Sequence, residues 1–274
     1  MKINKRIILF ILFFVFAIFS FIFLISFSQE QTRIQSEESN IENDSNGFNI
    51  KNEVPRNVLI ELFINAGCAT CPKAAFCLEE LAWSYEPGRV ILVEAHIWGD
   101  GYDIPETNAR YDWYAGDGIK GTPDAFFNGL SERIQGLCCD CGDIDKNISA
   151  YQEIIDEQLS RTSPVKIDAK FEICGEKIII QGNLVNKGHS MLRNLFLSGM
   201  VYYEGDETEL FYLVKDIFEN QDICQLAPME EKKFSFVSDL NLSDVEDSEL
   251  DRYYCVVFVQ DRLTKEVLQS YLVQ

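Results

Sequence analysis

Cys68 and Cys71 stand between the apolar run NVLIELFI (57 to 64) and the helix-like stretch KAAFCLEELAWSY (73 to 85). A sulfur placed at the mouth of a strand and the start of a helix meets unpaired backbone N–H groups and the positive end of the helix dipole. Both favour the thiolate. The chemistry this permits is disulfide exchange, in which Cys68 attacks a substrate disulfide and Cys71 resolves the mixed disulfide. The same C-x-x-C spacing also serves zinc sites and structural bridges, so the neighbouring elements have to discriminate.

Those elements follow in order. After the helix come the strand RVILVEAH (89 to 96), a helical region and Gly121-Thr122-Pro123-Asp124-Ala125-Phe126-Phe127-Asn128-Gly129. In that last segment a proline opens a short apolar strand, and Asn128-Gly129 supplies a type I′ turn into LSERIQG. Strand, CATC, helix, strand, helix, Thr-Pro, strand, turn and strand resemble the thioredoxin superfamily, and within it the secreted Omp28-like proteins, whose dithiol is often followed by proline as Pro72 follows here. The resemblance covers about residues 55 to 162. It implies an α/β thioredoxin-like domain in which Pro123, preceded by Thr122, is a cis-proline beside the dithiol. X-Pro bonds are the ones for which cis is cheap.

Composition sets the compartment and the partners. A chain of 274 residues, 47% hydrophobic, can bury a sizeable core, and its formal charge of −20 repels nucleic acid. Lys2, Lys5 and Arg6 precede 21 uncharged residues, Ile7 to Phe27, long enough to span a bilayer. The basic flank stays in the cytoplasm, so the rest of the chain is expected outside it. Residues 1–28 read as a signal anchor, or as a signal peptide if the small residues around Ser26 and Ser28 are cleaved and the protein is secreted. Residues 29–54, polar and without apolar periodicity, read as a flexible linker.

From Val165 the texture changes to seven strand-like runs: VKIDAKFEI, KIIIQGNLV, NLFLSGMVYYE, ELFYLVKDIF, KKFSFVSDL, RYYCVVFVQ and KEVLQSYLV. Strands of this number and spacing predict an all-β, immunoglobulin-like sandwich over 163–274. Its end, VVFVQDRLTKEVLQS, also resembles the end of Omp28-like chains. No catalytic constellation is visible in it.

Nine cysteines outside the cytoplasm are expected to pair for the most part. Cys138, Cys139 and Cys141 form the run LCCDCGD after the strand ending at Gly136. If that strand returns to the dithiol end of the sheet, the cluster lies on the CATC side. Three readings stand for it: a structural bridge, a second dithiol that relays electrons, or soft thiolate ligands for copper or zinc. Cys77 reads as core or as a bridge partner, and Cys174, Cys224 and Cys255 belong to the β-rich half.

Glu61 lies near the place where many thioredoxins keep a buried acid that shuttles protons, but the usual place falls on Leu62 and strand alternation turns Glu61 to the other face, so it reads either as an exposed strand residue or as a base. Glu94 is the alternative carboxylate. His96 reads as a loop or core residue, and the aromatics from Trp98 to Trp113 as packing or as a rim for extended polypeptide. The expected activity is therefore an extracytoplasmic, membrane-tethered thiol-disulfide oxidoreductase without cofactor or metal. Its partners would be protein thiols or disulfides and a membrane or soluble redox protein. A non-enzymatic cell-envelope binding protein and a copper-handling thiol protein are the alternatives.

Overall fold

The computed structural model describes residues 53–137, 143–205, 211–243 and 245–273. Residues 1–28, most of the linker and the cysteines 138, 139 and 141 lie outside them. Among the described residues there are three α-helices, and no helix is long and apolar enough to cross a membrane.

The first half runs β1 (Val54–Pro55), β2 (Val58–Ile64), α1 (Cys71–Ser84), β3 (Val90–His96), α2 (Pro105–Ala115), β4 (Asp124–Phe127), β5 (Glu132–Gln135) and α3 (Ile144–Leu159). The second half is strand: β6 (Thr162–Ser163), β7 (Val165–Cys174), β8 (Lys177–Asn186), β9 (Leu192–Arg193), β10 (Leu195–Tyr203), β11 (Leu213–Ile217), β12 (Gln221–Asp222), β13 (Gln225–Leu226), β14 (Glu231–Val237), β15 (Tyr253–Asp261) and β16 (Val267–Val273). Each of the seven strand-like runs holds one of the longer strands of this half.

VLIELFI and VILVEAH are buried at every position. Such unbroken burial belongs to strands covered on both faces. Accordingly β2 pairs in parallel with β3 from Val58↔Val90 to Ile64↔His96 and antiparallel with β4 from Ile60↔Phe127 to Phe63↔Asp124. Phe63 contacts Tyr111 and Tyr114 of α2, while α1 and α3 pack together against the other face. Odd residues of β2 therefore face α2 and even residues face α1.

The sheet does not stop at residue 162. Its order is β16-β15-β10-β11-β3-β2-β4-β5, with β12 pairing to β10. The junction is narrow: Leu213 of β11 stands opposite Glu94 of β3, and the Glu94 N–H donates to the Tyr212 carbonyl at 2.8 Å. Phe196, Met200, Tyr202, Val256, Phe258 and Val267 share one core with β2, β3 and α2. A separate three-stranded sheet, β14-β8-β7, lies over the same second-half strands and encloses a second core around Ile180, Phe234, Phe236 and Val257.

Asn128 and Gly129 both have positive φ, 49° and 66°, but Phe127 pairs with Glu132, so residues 128–131 form a four-residue loop in place of the expected two-residue type I′ hairpin. The strand after them starts only at Glu132, because the turn engages the β15–β16 hairpin: Val267 N–H donates to Asn128 O, and Leu130 N–H to Lys265 O. Asn128 Oδ1 also accepts from Leu59 N–H. A Cβ on Gly129 would stand 2.0 Å from Lys265 O. Gly129→Ala is expected to cost at least about 3 kcal/mol, through both the clash and the positive φ. Urea unfolding checks this, and a loss below about 1 kcal/mol would show that the hairpin contact is dispensable.

Candidate functional site

The dithiol follows from how β2 ends. After Ile64 the chain turns through Asn65–Gly67, with Cys68 N–H donating to Asn65 O at 3.0 Å and the Asn65 side chain donating to Ile97 O at 2.6 Å. Cys71 is the first residue of α1, and Thr70 at its N-cap makes no side-chain capping bond. The first-turn amides are thus left to other acceptors. One of them is sulfur: Cys71 N–H donates to Cys68 Sγ at 3.1 Å. The Thr70 hydroxyl lies 3.7 Å from the same sulfur. Cys68 and Cys71 form a disulfide with Cα atoms 5.4 Å apart. Cys71 is buried, whereas Cys68 is partly open to solvent. No acidic residue occupies the first turn of α1, so the positive end of the helix is uncompensated there.

Thr122-Pro123 is cis. Pro123 immediately precedes Asp124, whose partner on β2 is Phe63, so the bond sits at the end of the sheet from which the dithiol loop leaves. Asp124 pins it there. Its carboxylate accepts from Tyr111 Oη at 2.9 Å and pairs with Arg133 at 2.6 Å. β5 returns to the same end, where Gly136 N–H donates to Pro123 O at 2.7 Å. The chain therefore enters the stretch carrying Cys138, Cys139 and Cys141 beside Pro123 and leaves it at Ile144, whose carbonyl lies 4.0 Å from Cys77 Sγ. Cys77 is a free, buried thiol, raised in pKa by its burial. Cys174, Cys224 and Cys255 are likewise free, so the described residues of the β-rich half hold no bridge.

Glu61 is turned away from the dithiol, toward α2. Arg110 clamps it through Nε and Nη2, Tyr114 Oη donates to it at 2.6 Å, and Gln260 of β15 donates to Tyr114 Oη at 2.7 Å. Burial opposes the charge on Arg110, but Glu61 holds the guanidinium ionised. Glu61 is therefore buried rather than exposed, and its ion pair with Arg110 ties α2 to β2. Its partners were not legible in sequence, although the Arg110 and Tyr114 spacing of four does put both on one helix face.

The carboxyl on the α1 face is Glu94, directly beside Leu62. Glu79 of α1, which was not singled out in sequence, is its titratable neighbour, and Glu94 Oε1 is buried without a hydrogen-bond partner. Burial, and then the neighbouring Glu79, push the Glu94 pKa well above its ordinary value of 4.5. Burial therefore favours the protonated, uncharged form of the Glu94 carboxyl. A folded-state pKa raised above the unfolded one contributes stability that is complete below about pH 4.5 and is lost as pH rises toward the folded value. Glu94→Gln should remove that slope, which reaches about 1.4 kcal/mol per pH unit for one group. Urea midpoints at pH 5 and pH 8 measure it: the wild type should lose more stability than the variant, and equal losses would place the proton elsewhere.

His96 closes β3 opposite Ile64 and is buried, with Nδ1 2.5 Å from Asp100 Oδ2. Asp100 Oδ2 also accepts from Ala66 N–H at 2.8 Å and thereby ties the chain after β3 to the dithiol loop. Tyr102 packs on the His96 ring and Trp98 on Tyr111, and both are exposed, as is Phe76 on α1. Among the described residues no group of three or more His, Cys, Asp or Glu is placed to hold a metal ion.

No protein-family model and no curated protein matches the chain. Solved structures do. HBP35 of Porphyromonas gingivalis matches with a TM-score of 0.61 at 15% identity, over 80% of this chain and 75% of that one. A domain of the outer membrane lipoprotein Omp28 from Porphyromonas gingivalis matches over 41% of this chain and 88% of that one, at 16% identity and a TM-score of 0.31. A Bacteroides uniformis β-glucuronidase matches over 40% of this chain and 12% of that one, at 18% identity and a TM-score of 0.29. The first similarity is a shared fold, and the other two overlay too little to carry an argument.

Proposed function

We propose that the chain is an extracytoplasmic thiol-disulfide oxidoreductase of thioredoxin-like fold, held at the membrane by its N-terminal segment, with Cys68–Cys71 as its redox centre. The observation that carries this reading is the disulfide at the head of α1, with the Cys71 amide already directed at Cys68 Sγ. That amide and the uncompensated helix end favour a Cys68 thiolate over the thiol. The partial exposure of Cys68 and the burial of Cys71 divide the roles: Cys68 meets the substrate and Cys71 resolves. Pro123 closes one side of the site, and Phe76, Trp98 and Tyr102 offer an apolar rim for a polypeptide substrate.

Two electrons pass from the reduced dithiol to a substrate disulfide. Cys68 thiolate attacks one substrate sulfur and the other leaves as thiolate. Cys71 thiolate then attacks Cys68, closes the disulfide and releases the second substrate thiol. The reverse sequence reduces the dithiol from a partner. The second-half strands would dock the partner or space the site from the membrane.

Cys71→Ser is expected to trap mixed disulfides through Cys68, recovered as adducts on non-reducing gels and mapped by mass. Cys68→Ser is expected to trap none. Equal trapping by both variants, or by neither, contradicts the assignment.

A further inference from the structure

We propose that His96, oriented by Asp100, accepts the proton of Cys71 when the dithiol resolves a mixed disulfide; the inference rests on the oxidoreductase reading and names the residue that serves its second step. Three observations carry it. First, His96 is the last residue of β3, in register with Ile64, the residue after which the chain leaves β2 for the dithiol loop, and by strand alternation it shares the α1 face with Glu94. Second, its orientation is fixed. Asp100 accepts from Ala66 N–H, from Tyr102 N–H at 3.0 Å and from the imidazole. Although burial works against it, these bonds, led by the one from His96, hold the Asp100 carboxyl below its usual range. An ionised Asp100 accepts a hydrogen bond from Nδ1–H, the tautomer that leaves Nε2 with its lone pair. Third, that Nε2 is buried and has no hydrogen-bond partner. A buried polar atom without a partner costs free energy and calls for an explanation.

A base at this point answers a need of the site. Cys71 is as buried as His96, and a buried thiol ionises less readily than an exposed one. The step balances as follows. The Cys71 S–H proton passes to His96 Nε2, the Cys71 thiolate bonds to Cys68 Sγ, and the bond from Cys68 to the substrate sulfur breaks with that sulfur leaving as thiolate. The charged and titratable groups around His96 are Asp100, the Tyr102 ring at 5.2 Å between centroids, Asp103 on the same loop, and Glu94 with its partner Glu79. Glu94, whose Oε1 is also buried without a partner, faces the same side but lies two residues deeper along β3, roughly 6.6 Å farther from the dithiol end.

Single-turnover oxidation of the reduced full chain in detergent micelles tests the assignment. Oxidised glutathione is the probe, samples are quenched in acid, and Cys68 peptides are mapped by mass. His96→Asn keeps a donor to Asp100 at the place of Nδ1 and removes Nε2. It should form the Cys68–glutathione adduct at the wild-type rate and resolve it roughly 10- to 100-fold more slowly, with the deficit shrinking as pH rises and the thiol ionises unaided. Resolution at the wild-type rate, or a slow second step in Glu94→Gln and not in His96→Asn, overturns the proposal while the oxidoreductase reading stands. No adduct on wild-type Cys68 removes both. If His96→Asn does not fold, imidazole 15N spectra of the wild type decide. Nε2 of His96 should shift between oxidised and reduced protein while His189 does not, and unchanged His96 resonances overturn the proposal.

Discussion

Every feature of the site descends from one constraint: β2 is buried at all seven positions and hydrogen-bonded on both edges. A strand in that position needs helices on both faces, and its apolar composition satisfies them, since burying a Leu, Ile or Phe side chain stabilises by about 1.5–3 kcal/mol. It also leaves the chain one way out, at the C-terminal end, where backbone groups run out of sheet partners. The dithiol turn, the end of β3 with His96, and the start of β4 with Pro123 all meet there. The site is where three strand ends coincide, and α1 begins there because β2 can extend no further.

The second half is coupled to that arrangement rather than appended to it. β11 continues the sheet next to β3, Gln260 completes the Glu61, Arg110 and Tyr114 cluster, and Arg56 at the entry to β2 bonds Val267 O and Glu266. Removing one partner of a buried ion pair costs about 3–5 kcal/mol. Glu61 therefore anchors α2, and with it the loop from Ile97 to Ile104 that carries Asp100. In this way β15 steadies the neighbourhood of the dithiol without contributing a reacting group.

Much of this was legible in the sequence. Two unbroken apolar runs of strand length, a C-x-x-C before a helix and a Thr-Pro before a short strand are local signals, and each sits where its pattern placed it; the Asn-Gly turn is there too, but its contacts with the β15–β16 hairpin widen it to a four-residue loop. The seven later strands are equally local. What the sequence did not disclose depends on pairing between distant segments. The single-register contact of β11 with β3 leaves no periodic trace, so nothing in 163–274 announced that its strands extend the first sheet. Alternation turned Glu61 away from α1 correctly, but its neutralisation by Arg110 needed the helix to be placed. Cys77 read as core or as a bridge partner, and the structure keeps it buried and free. His96 read as a packing residue because its Asp100 partner becomes an argument only once Ala66 is seen to share the same carboxylate.

The central claim is that Cys68–Cys71 exchanges electrons rather than stapling a turn, and its reduction potential tests that most directly. Equilibrating the protein with glutathione buffers and counting alkylated Cys68 and Cys71 by mass gives the value. The account predicts a reversible couple between about −270 and −120 mV, the span of known exchange catalysts. A potential below about −300 mV, where structural disulfides lie, would contradict it.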